Sequence, residues 1–591
     1  MNVSDFIVQR LVEWQVRQVF GYPGDGINGL LGALNRGKDQ VRFIQTRHEE
    51  MAAFMACAHA KFTGETGVCV ATSGPGAIHL LNGLYDAKLD HQPVVAIIGQ
   101  QRRSSLGSSY QQEVDLASLY KDVASDYLQV VVHPAQARQV IDRAFRIAHM
   151  ERTVTAVIIP VDVQEEKAVE EPPRKHGSVF TGVGYSAARV IPADDELQRA
   201  ADVLNAGEKV AILVGAGAFS AVEEIKVVAG LLGAGVAKAL LGKAVLPDDL
   251  PYVTGSIGLL GTKPSWDMME NCDTLLMIGS SFPYTEYLPQ PGQARGVQID
   301  IDGKMLSIRY PMEVNLLGDS KSTLQGLIPL LTHKTDRSWQ DGIAKGINEW
   351  WDTVEQRARL EADPINPQLV LQELSPRLPD YSIITADSGT SAFWFARNIR
   401  IREGMLASLS GNLATMCPAV PYAVAAKFAY PDKPAFAIVG DGAMQMLGMN
   451  ELITISKYWQ EWASPTLVII VLNNRDLNMV TWEQRMEGGE PKFEDSQSIP
   501  DVNYAAFAHS LGLGGIRVET AAGVVPALEQ ALSADRPVVL DVVVDPNVPI
   551  LPAHVTMEQF AKYNKALLKG DPDAMSLIRQ TIRQVMTGGI G

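Results

Sequence analysis

Two short polar clusters, each closing an apolar run, carry the chemistry in this sequence. Gly440-Asp441-Gly442-Ala443 follows Phe436–Val439, and Asn473-Asn474-Arg475-Asp476 follows Leu467–Leu472. The apolar runs are short and rich in branched residues, so they read as buried strands of a parallel sheet. Ligands collect at the carboxyl ends of neighbouring parallel strands. The glycines at 440 and 442 let the backbone turn and approach a ligand closely. The helix that follows offers free N–H groups to a phosphate. Asp441 and Asn474 supply hard oxygens of the kind Mg2+ takes beside phosphate oxygens and water. Together they read as a metal–diphosphate site across two strand ends. A lone Gly-Asp-Gly is more often an ordinary strand–turn–helix; the second strand end gives the pattern its weight.

Gly-Asp-Gly followed by Asn-Asn resembles the thiamine diphosphate (ThDP) motif of decarboxylases and related enzymes. The resemblance implies Mg2+ held by the Asp441 carboxylate, the Asn474 amide oxygen and the backbone carbonyl of Asp476. Thirty residues separate Gly442 from Asn473, several more than the family has. The surplus is expected in a surface loop around Tyr458–Ala463.

The elements that must position these residues recur along the chain. Gln18-Val-Phe leads into Gly21-Tyr-Pro23-Gly24-Asp25-Gly26. Val41–Glu50 is a strand ending in two carboxylates, before an Ala- and Met-rich helix over Met51–Phe62. Val68–Ala71 ends in Thr72-Ser-Gly-Pro-Gly76, and Val94–Gly99 is a further strand. Repeated strand–loop–helix order predicts a parallel α/β domain. A helix from residue 4, with Ser4 as N-cap, opens the chain.

Arg47-His-Glu49, Thr72-Ser-Gly-Pro-Gly, Asn82-Gly-Leu-Tyr-Asp-Ala and Asp90-His-Gln-Pro-Val look like the pyrimidine-binding domain of the pyruvate oxidase and acetolactate synthase group. On that resemblance Glu49, rather than Glu50, hydrogen-bonds the ThDP pyrimidine and favours the tautomer that removes the thiazolium C2 proton. Such a carboxyl must be kept from bulk water. Pro23, Gly24, Asp25, Thr72 and Asn82 fall in the matching cofactor segments. His79 matches the pyruvate oxidase branch, where an imidazole would handle the substrate. Gln112 matches a substrate-side Gln. Gln111 stands where the family has Phe, and Asp25-Gly26 where oxidases carry Gly-Ser, which changes the pocket's polarity.

Residues 164–187, charged and Pro-rich, read as a linker. Residues 188–335 read as a second α/β domain, with strand ends at Gly215-Ala-Gly217 and Gly279. Its wider pattern, including Phe282-Pro-Tyr, Asp300 and Asp319, resembles the FAD-binding middle domain of pyruvate oxidases. The Gly279 strand end lacks the Arg that synthases place there for a second keto acid. Residues 336–367 read as an exposed amphipathic helix and a boundary.

In the third domain, Asp387-Ser-Gly389-Thr390 ends a strand and reads as either a diphosphate contact or a helix cap. Ser410-Gly-Asn412-Leu-Ala414-Thr-Met416 resembles the family segment whose bulky residue, here Met416, wedges between the two ThDP rings and brings the reacting atoms together. The same likeness places Leu477, Met479 and Val480 beside the cofactor. Glu483 falls where oxidases have Glu and synthases have Trp, and is expected as a buried carboxyl relaying protons. The tail over Met575–Met586 places Leu577, Ile578, Ile582, Val585 and Met586 on an apolar face. It reads as packed on its own protein in preference to lying on a membrane.

Composition fits this reading. The chain has 591 residues, 46% hydrophobic and 20% charged, with a net charge of −16. Its length calls for several domains. Its charge argues against nucleic acid or an anionic membrane as main partner. Four scattered cysteines read as buried thiols in a reducing compartment. A cytoplasmic enzyme is expected, with the inner face of a membrane as the secondary location. The expected architecture is α/β, three doubly wound parallel-sheet domains. These are pyrimidine-binding (1–175), central and FAD-binding (188–335) and diphosphate-binding (360–550), followed by a helical tail (551–591). The resemblance implies a 2-keto acid substrate, ThDP, Mg2+ and FAD, and a homodimer or homotetramer with shared active sites. Its implied reaction is oxidative decarboxylation of pyruvate. The alternatives are acetolactate synthase-like carboligation, non-oxidative decarboxylation, and an inactive cofactor-binding partner subunit.

Overall fold

The computed structural model describes residues 1–587. Three six-stranded sheets follow one another, and every strand pair in them is parallel. The first holds β1 (Gln18–Gly21), β2 (Arg42–Gln45), β3 (Gly67–Ala71), β4 (Val94–Gln100), β5 (Leu128–Val130) and β6 (Val154–Pro160). The second holds β7 (Val210–Val214), β8 (Gly235–Lys238), β9 (Val253–Ser256), β10 (Thr274–Ile278), β11 (Arg295–Asp300) and β12 (Val314–Leu317). The third holds β13 (Ile383–Ala386), β14 (Leu406–Ser408), β15 (Ala435–Gly440), β16 (Leu467–Asn473), β17 (Gly514–Val518) and β18 (Val538–Val543).

The strand orders decide where ligands fit. The first sheet runs β2-β1-β3-β4-β6-β5 and the third β14-β13-β15-β16-β18-β17, so the outer domains share one winding. Both reverse direction between their first and third strands. The central sheet runs β12-β11-β10-β7-β8-β9 and reverses between β7 and β10, the order of a dinucleotide-binding fold. Central strands such as β3, β4 and β16 are buried on both faces, as a parallel sheet covered by helices requires.

The outer domains pack directly on each other. The helices Glu49–Thr63 and Ala419–Ala429 face one another through small residues, and one apolar cluster includes Ala52, Ala53 and Ala56 with Ala423 and Ala426. Small side chains allow this close approach. Phe54 meets Tyr422 edge-on, with ring centroids 6.4 Å apart.

Two expectations are corrected here. Asn2, not Ser4, caps the first helix, in a reciprocal box with Asp5; the Ser4 hydroxyl donates to the Gln164 carbonyl. The stretch Tyr458–Ala463 is not simply a surface loop. Tyr458 and Trp462 are buried, both edge-on to Phe428, and the Tyr458 hydroxyl accepts the Gln45 N–H of β2. Arg42 adds an ion pair with Glu461, so this insertion bonds the outer domains together.

All four cysteines are buried and free. The long helix Ser338–Ala358 turns Ile343, Ile347, Trp350 and Val354 inward. The tail forms helices Met557–Leu568 and Ala574–Met586. Leu577 is buried, whereas Ile578, Ile582 and Met586 face outward. Among the described residues no helix is long and apolar enough to cross a membrane.

Candidate active site

The diphosphate-side residues gather at the reversal point of the third sheet, where an open cleft is expected. Gly440 ends β15 and precedes a helical turn that starts at Asp441; Gly389 (φ 92°) precedes the helix Thr390–Asn398. A Cβ on Gly440 would meet nothing within 4 Å, and one on Gly389 only Met479 Cβ at 3.9 Å. Two helix starts therefore border unfilled space, which suits a phosphate. Asp387 does not reach this space. Its carboxylate accepts the N–H groups of Ser388 (3.0 Å), Cys417 (2.9 Å) and Ala419 (3.3 Å), and burial pushes it up to about 7. It braces the loop that carries Met416.

Gly440 and Leu472 are register partners on β15 and β16, so Asp441 and Asn474 sit at adjacent strand ends. Asp441 accepts the N–H groups of Gly442 (2.9 Å) and Arg475. Burial pushes its carboxyl up to about 7, and the neighbouring Asp476 carboxylate acts in the same direction. Among the described residues no Lys or Arg side chain pairs with it, and the Asn474 amide oxygen beside it accepts the Asp476 N–H at 3.0 Å. The Asp476 carboxylate is already engaged, by Thr481 (3.0 Å), Asn478 (2.9 Å) and Lys492 (3.0 Å). Its main-chain carbonyl is the atom left for a cation. A buried carboxylate, an amide oxygen and a carbonyl form an all-oxygen set that fits Mg2+ beside a diphosphate.

Met416, Gly442 and Leu477 meet. A Cβ on Gly442 would lie 2.7 Å from Leu477 Cδ2 and 3.3 Å from Met416 Cε. Met416 is flanked by two non-glycine residues in the left-handed region, Ala414 (φ 51°) and Cys417 (φ 82°). Each such residue costs about 1–3 kcal/mol and persists only where its surroundings hold it.

The pyrimidine-side residues gather at the matching reversal of the first sheet. Thr72 accepts the Gly26 N–H at 2.9 Å, and Cβ atoms on Gly24 or Gly26 would come within 2.8 Å of it. These contacts fix Pro23-Gly24-Asp25 against the Thr72 turn. Glu49 starts its helix, where the dipole favours a carboxylate. It is buried, and its Oε2 bonds His79 Nδ1 at 2.9 Å. A Cβ on Gly76 would lie 3.0 Å from Glu49 Oε1, so glycine makes room for the carboxylate. Gln112 (φ 62°) is exposed, its backbone packed over Gly74. Glu50 differs from Glu49: it accepts from Asn82, which also donates to Thr415 of the third domain.

His48, Glu49 and His79 bring ligand atoms within 4.8 Å of one another. His48 Nδ1 accepts the Glu50 N–H at 3.2 Å, and its ring stacks on His79 at 4.4 Å. The His79–Glu49 bond and the His48–His79 stacking tie the three side chains into one cluster.

Glu483 differs from expectation: it is exposed, and Trp482 is the buried residue. Partial burial and the neighbouring Glu487 raise its pKa. It borders an open pocket walled by Phe393, Met479, Trp482, Met486, Leu259 and Ile550, with Glu487, Pro552 and Gln559. Val480 on the same helix is exposed. Among the described residues none of the first domain lines this pocket. The tail completes it and is tied down by Arg485, fully buried, which pairs with Asp571 and Asp573.

In the central domain the five candidate FAD residues have structural tasks. Cβ atoms on Gly215 and Gly217 would lie 2.4 and 3.1 Å from the Gly279 carbonyl oxygen, to which the Gly217 N–H is bonded. These glycines let two loops touch at the reversal of the sheet. Phe282 is buried beside Gly258, Asp300 accepts the Asp302 N–H, and Asp319 caps the helix Ser320–Leu327. Their positions at the strand ends are compatible with FAD without requiring it.

Glu451, unremarked in the sequence, lies buried between the outer domains. One oxygen faces the Arg47 N–H (3.5 Å); the other has no partner. Burial pushes its pKa from 4.5 to about 7. The folded state therefore holds the proton more tightly, and stability is lost as pH rises from 4.5 through 7. Glu451→Gln is expected to stabilise the protein above pH 7 by on the order of 3 kcal/mol and to change little below pH 5. Denaturant unfolding at pH 5 and pH 8 checks this; an equal effect at both would contradict it.

Candidate residues therefore gather at the reversals of both outer sheets, and comparison with known proteins gives the class. The chain matches the thiamine pyrophosphate enzyme N-terminal TPP binding domain over 1–119, the central domain over 197–327 and the C-terminal TPP binding domain over 387–542. It is 36% identical over 564 residues to YdaP of Bacillus subtilis, provisionally named a thiamine pyrophosphate-containing protein, covering 95% of each chain. It is 30% identical to the acetolactate synthase isozyme 2 large subunit of Escherichia coli over 562 residues, 92% of this chain and 96% of that one. It is 28% identical to the pyruvate oxidase of Lactiplantibacillus plantarum over 549 residues, 92% of this chain and 89% of that one. The protein belongs to the thiamine pyrophosphate (ThDP) enzyme family.

Proposed function

We propose that this protein catalyses ThDP- and Mg2+-dependent oxidative decarboxylation of pyruvate or a related 2-keto acid, with FAD carrying electrons onward to a quinone or O2. Asp441, Asn474 and the Asp476 carbonyl would hold Mg2+, and the helix starts after Gly389 and Gly440 would take the diphosphate. ThDP supplies a nucleophilic carbon and an electron sink for CO2 loss, and FAD a two-electron acceptor. Glu49, kept from water by Gly76 and His79, holds the proton balance of the aminopyrimidine. His79, hydrogen-bonded to Glu49 and open on its other side, orients the substrate. Glu483, with its raised pKa, exchanges protons at the pocket mouth.

The observation that carries oxidase over carboligase is the pocket wall. It bears Glu483 and Glu487 and no Lys, Arg or His. Carboligation requires a second keto acid to be held, and among the described residues of this chain the pocket wall offers its carboxylate no cation. The same pocket contains nothing from the first domain. That supports pairing each Glu49 with the diphosphate side of another chain, in a homodimer or homotetramer. Product analysis with pyruvate tests the reaction: acetate or acetyl phosphate is expected. Acetolactate as the main product would replace this reading with carboligation.

A further inference from the structure

The loop 409–417, which carries Met416, is held by all three domains of its own chain. Asp90, at the end of the helix Leu81–Leu89 in the first domain, has a fully buried side chain. Its Oδ2 accepts the Gly411 N–H (2.9 Å) and Lys61 Nζ (2.7 Å). Its Oδ1 accepts the Asn412 N–H (2.8 Å) and Asn412 Nδ2 (3.2 Å). Lys61 lies on the helix that begins with Glu49; it also donates to the Leu409 carbonyl (2.6 Å) and sits over the Tyr422 ring. Asn82 donates to Thr415 at 2.9 Å. From the central domain, Leu241 packs so tightly on Gly411 that a Cβ there would lie 2.4–2.6 Å from its side chain.

Charge-assisted hydrogen bonds are the strong ones, and here both oxygens of a buried carboxylate are used. They converge on a segment with left-handed residues on both sides of Met416. We infer that Asp90 and Lys61 are positioning residues: the first domain clamps the Met416 loop, so a contact between domains sets the shape in which the cofactor reacts. This rests on reading Met416 as the residue that bends ThDP. Diphosphate and metal binding lie elsewhere, on Asp441 and Asn474, so the clamp should govern reactivity more than affinity.

The test is exchange of the ThDP C2 proton for deuterium on the enzyme with Mg2+ and no keto acid, beside ThDP affinity. Asp90→Asn keeps volume but turns an amide N–H2 toward donors. It is expected to slow exchange about 10–100-fold, the cost of a misplacement near 1 Å. ThDP affinity should change by less than about twofold, and Met416→Ala combined with it should be non-additive. If Asp90→Asn fails to fold, Asn412→Ala decides, because Asn412 is exposed and its loss should slow exchange in the same way. Wild-type exchange in either folded variant, equal loss of exchange and affinity, or additivity with Met416→Ala would overturn the clamp. A wild-type protein that binds no ThDP would overturn the cofactor reading with it.

Discussion

Glu49→Gln is expected to lower turnover about 10²–10⁴-fold, the range a positioned general acid–base contributes, while leaving the melting temperature nearly unchanged. The side chain is buried, and its partners are His79 and the space left by Gly76. Glutamine fills that space and keeps one oxygen for His79, so the fold has little to lose. What disappears is the carboxylate that would face the pyrimidine. ThDP and Mg2+ should still bind, because their anchors lie in the third domain. The same change at Glu50 should act differently: Glu50 bonds Asn82 at the contact between domains, so its loss should show in stability first. Kinetics with saturating cofactor and thermal unfolding of both variants check the pair. Full activity in Glu49→Gln would remove Glu49 from the chemistry.

Asp441→Ala is expected to weaken Mg2+-dependent ThDP binding by more than about 100-fold, since even outer-shell partners of a metal typically contribute 10–100-fold. The apo protein should gain stability at neutral pH at the same time. Wild-type Asp441 is a buried carboxyl that gains no cation from its own chain, and alanine removes that cost. A variant more stable without cofactor and unable to bind it is hard to produce by general disruption. Calorimetric titration with ThDP and Mg2+ measures the first effect and thermal unfolding the second. Unchanged affinity would contradict the metal assignment.

Much of the architecture was legible because buried parallel strands announce themselves as branched apolar runs, and their ends carry Gly, Asp and Asn. Asp441 and Asn474 stand at such ends, whereas the stretch Val41–Glu50, read as one strand, is a strand only over Arg42–Gln45, and Glu49 opens the helix that follows. What sequence could not show is which distant segment each group meets. Asp90 holds residues 411 and 412, over 300 positions away, and Glu451 faces Arg47; neither pairing has a local signal. Tyr458 and Trp462 read as an insertion in a loop, and are buried because Phe428 and β2 offer them a surface. Glu483 reads as buried beside an aromatic residue, but the helix turns Trp482 inward and leaves Glu483 at the rim. Gly215 and Gly217 illustrate a different ambiguity. Glycine is demanded equally by a dinucleotide and by a second loop, and here the second loop, at Gly279, is present. Asp387 and Asp319 look like ligand contacts, yet both cap or brace backbone N–H groups.

The measurement that tests the proposed reaction most directly is the visible spectrum of the purified protein with ThDP and Mg2+, before and after anaerobic addition of pyruvate. An oxidised flavin spectrum that bleaches on mixing, within the time of one turnover, is the predicted result. A flavin that stays oxidised while pyruvate is consumed, or pyruvate consumed with no flavin bound, would contradict oxidative decarboxylation. Either would point instead to carboligation or simple decarboxylation within the same enzyme family.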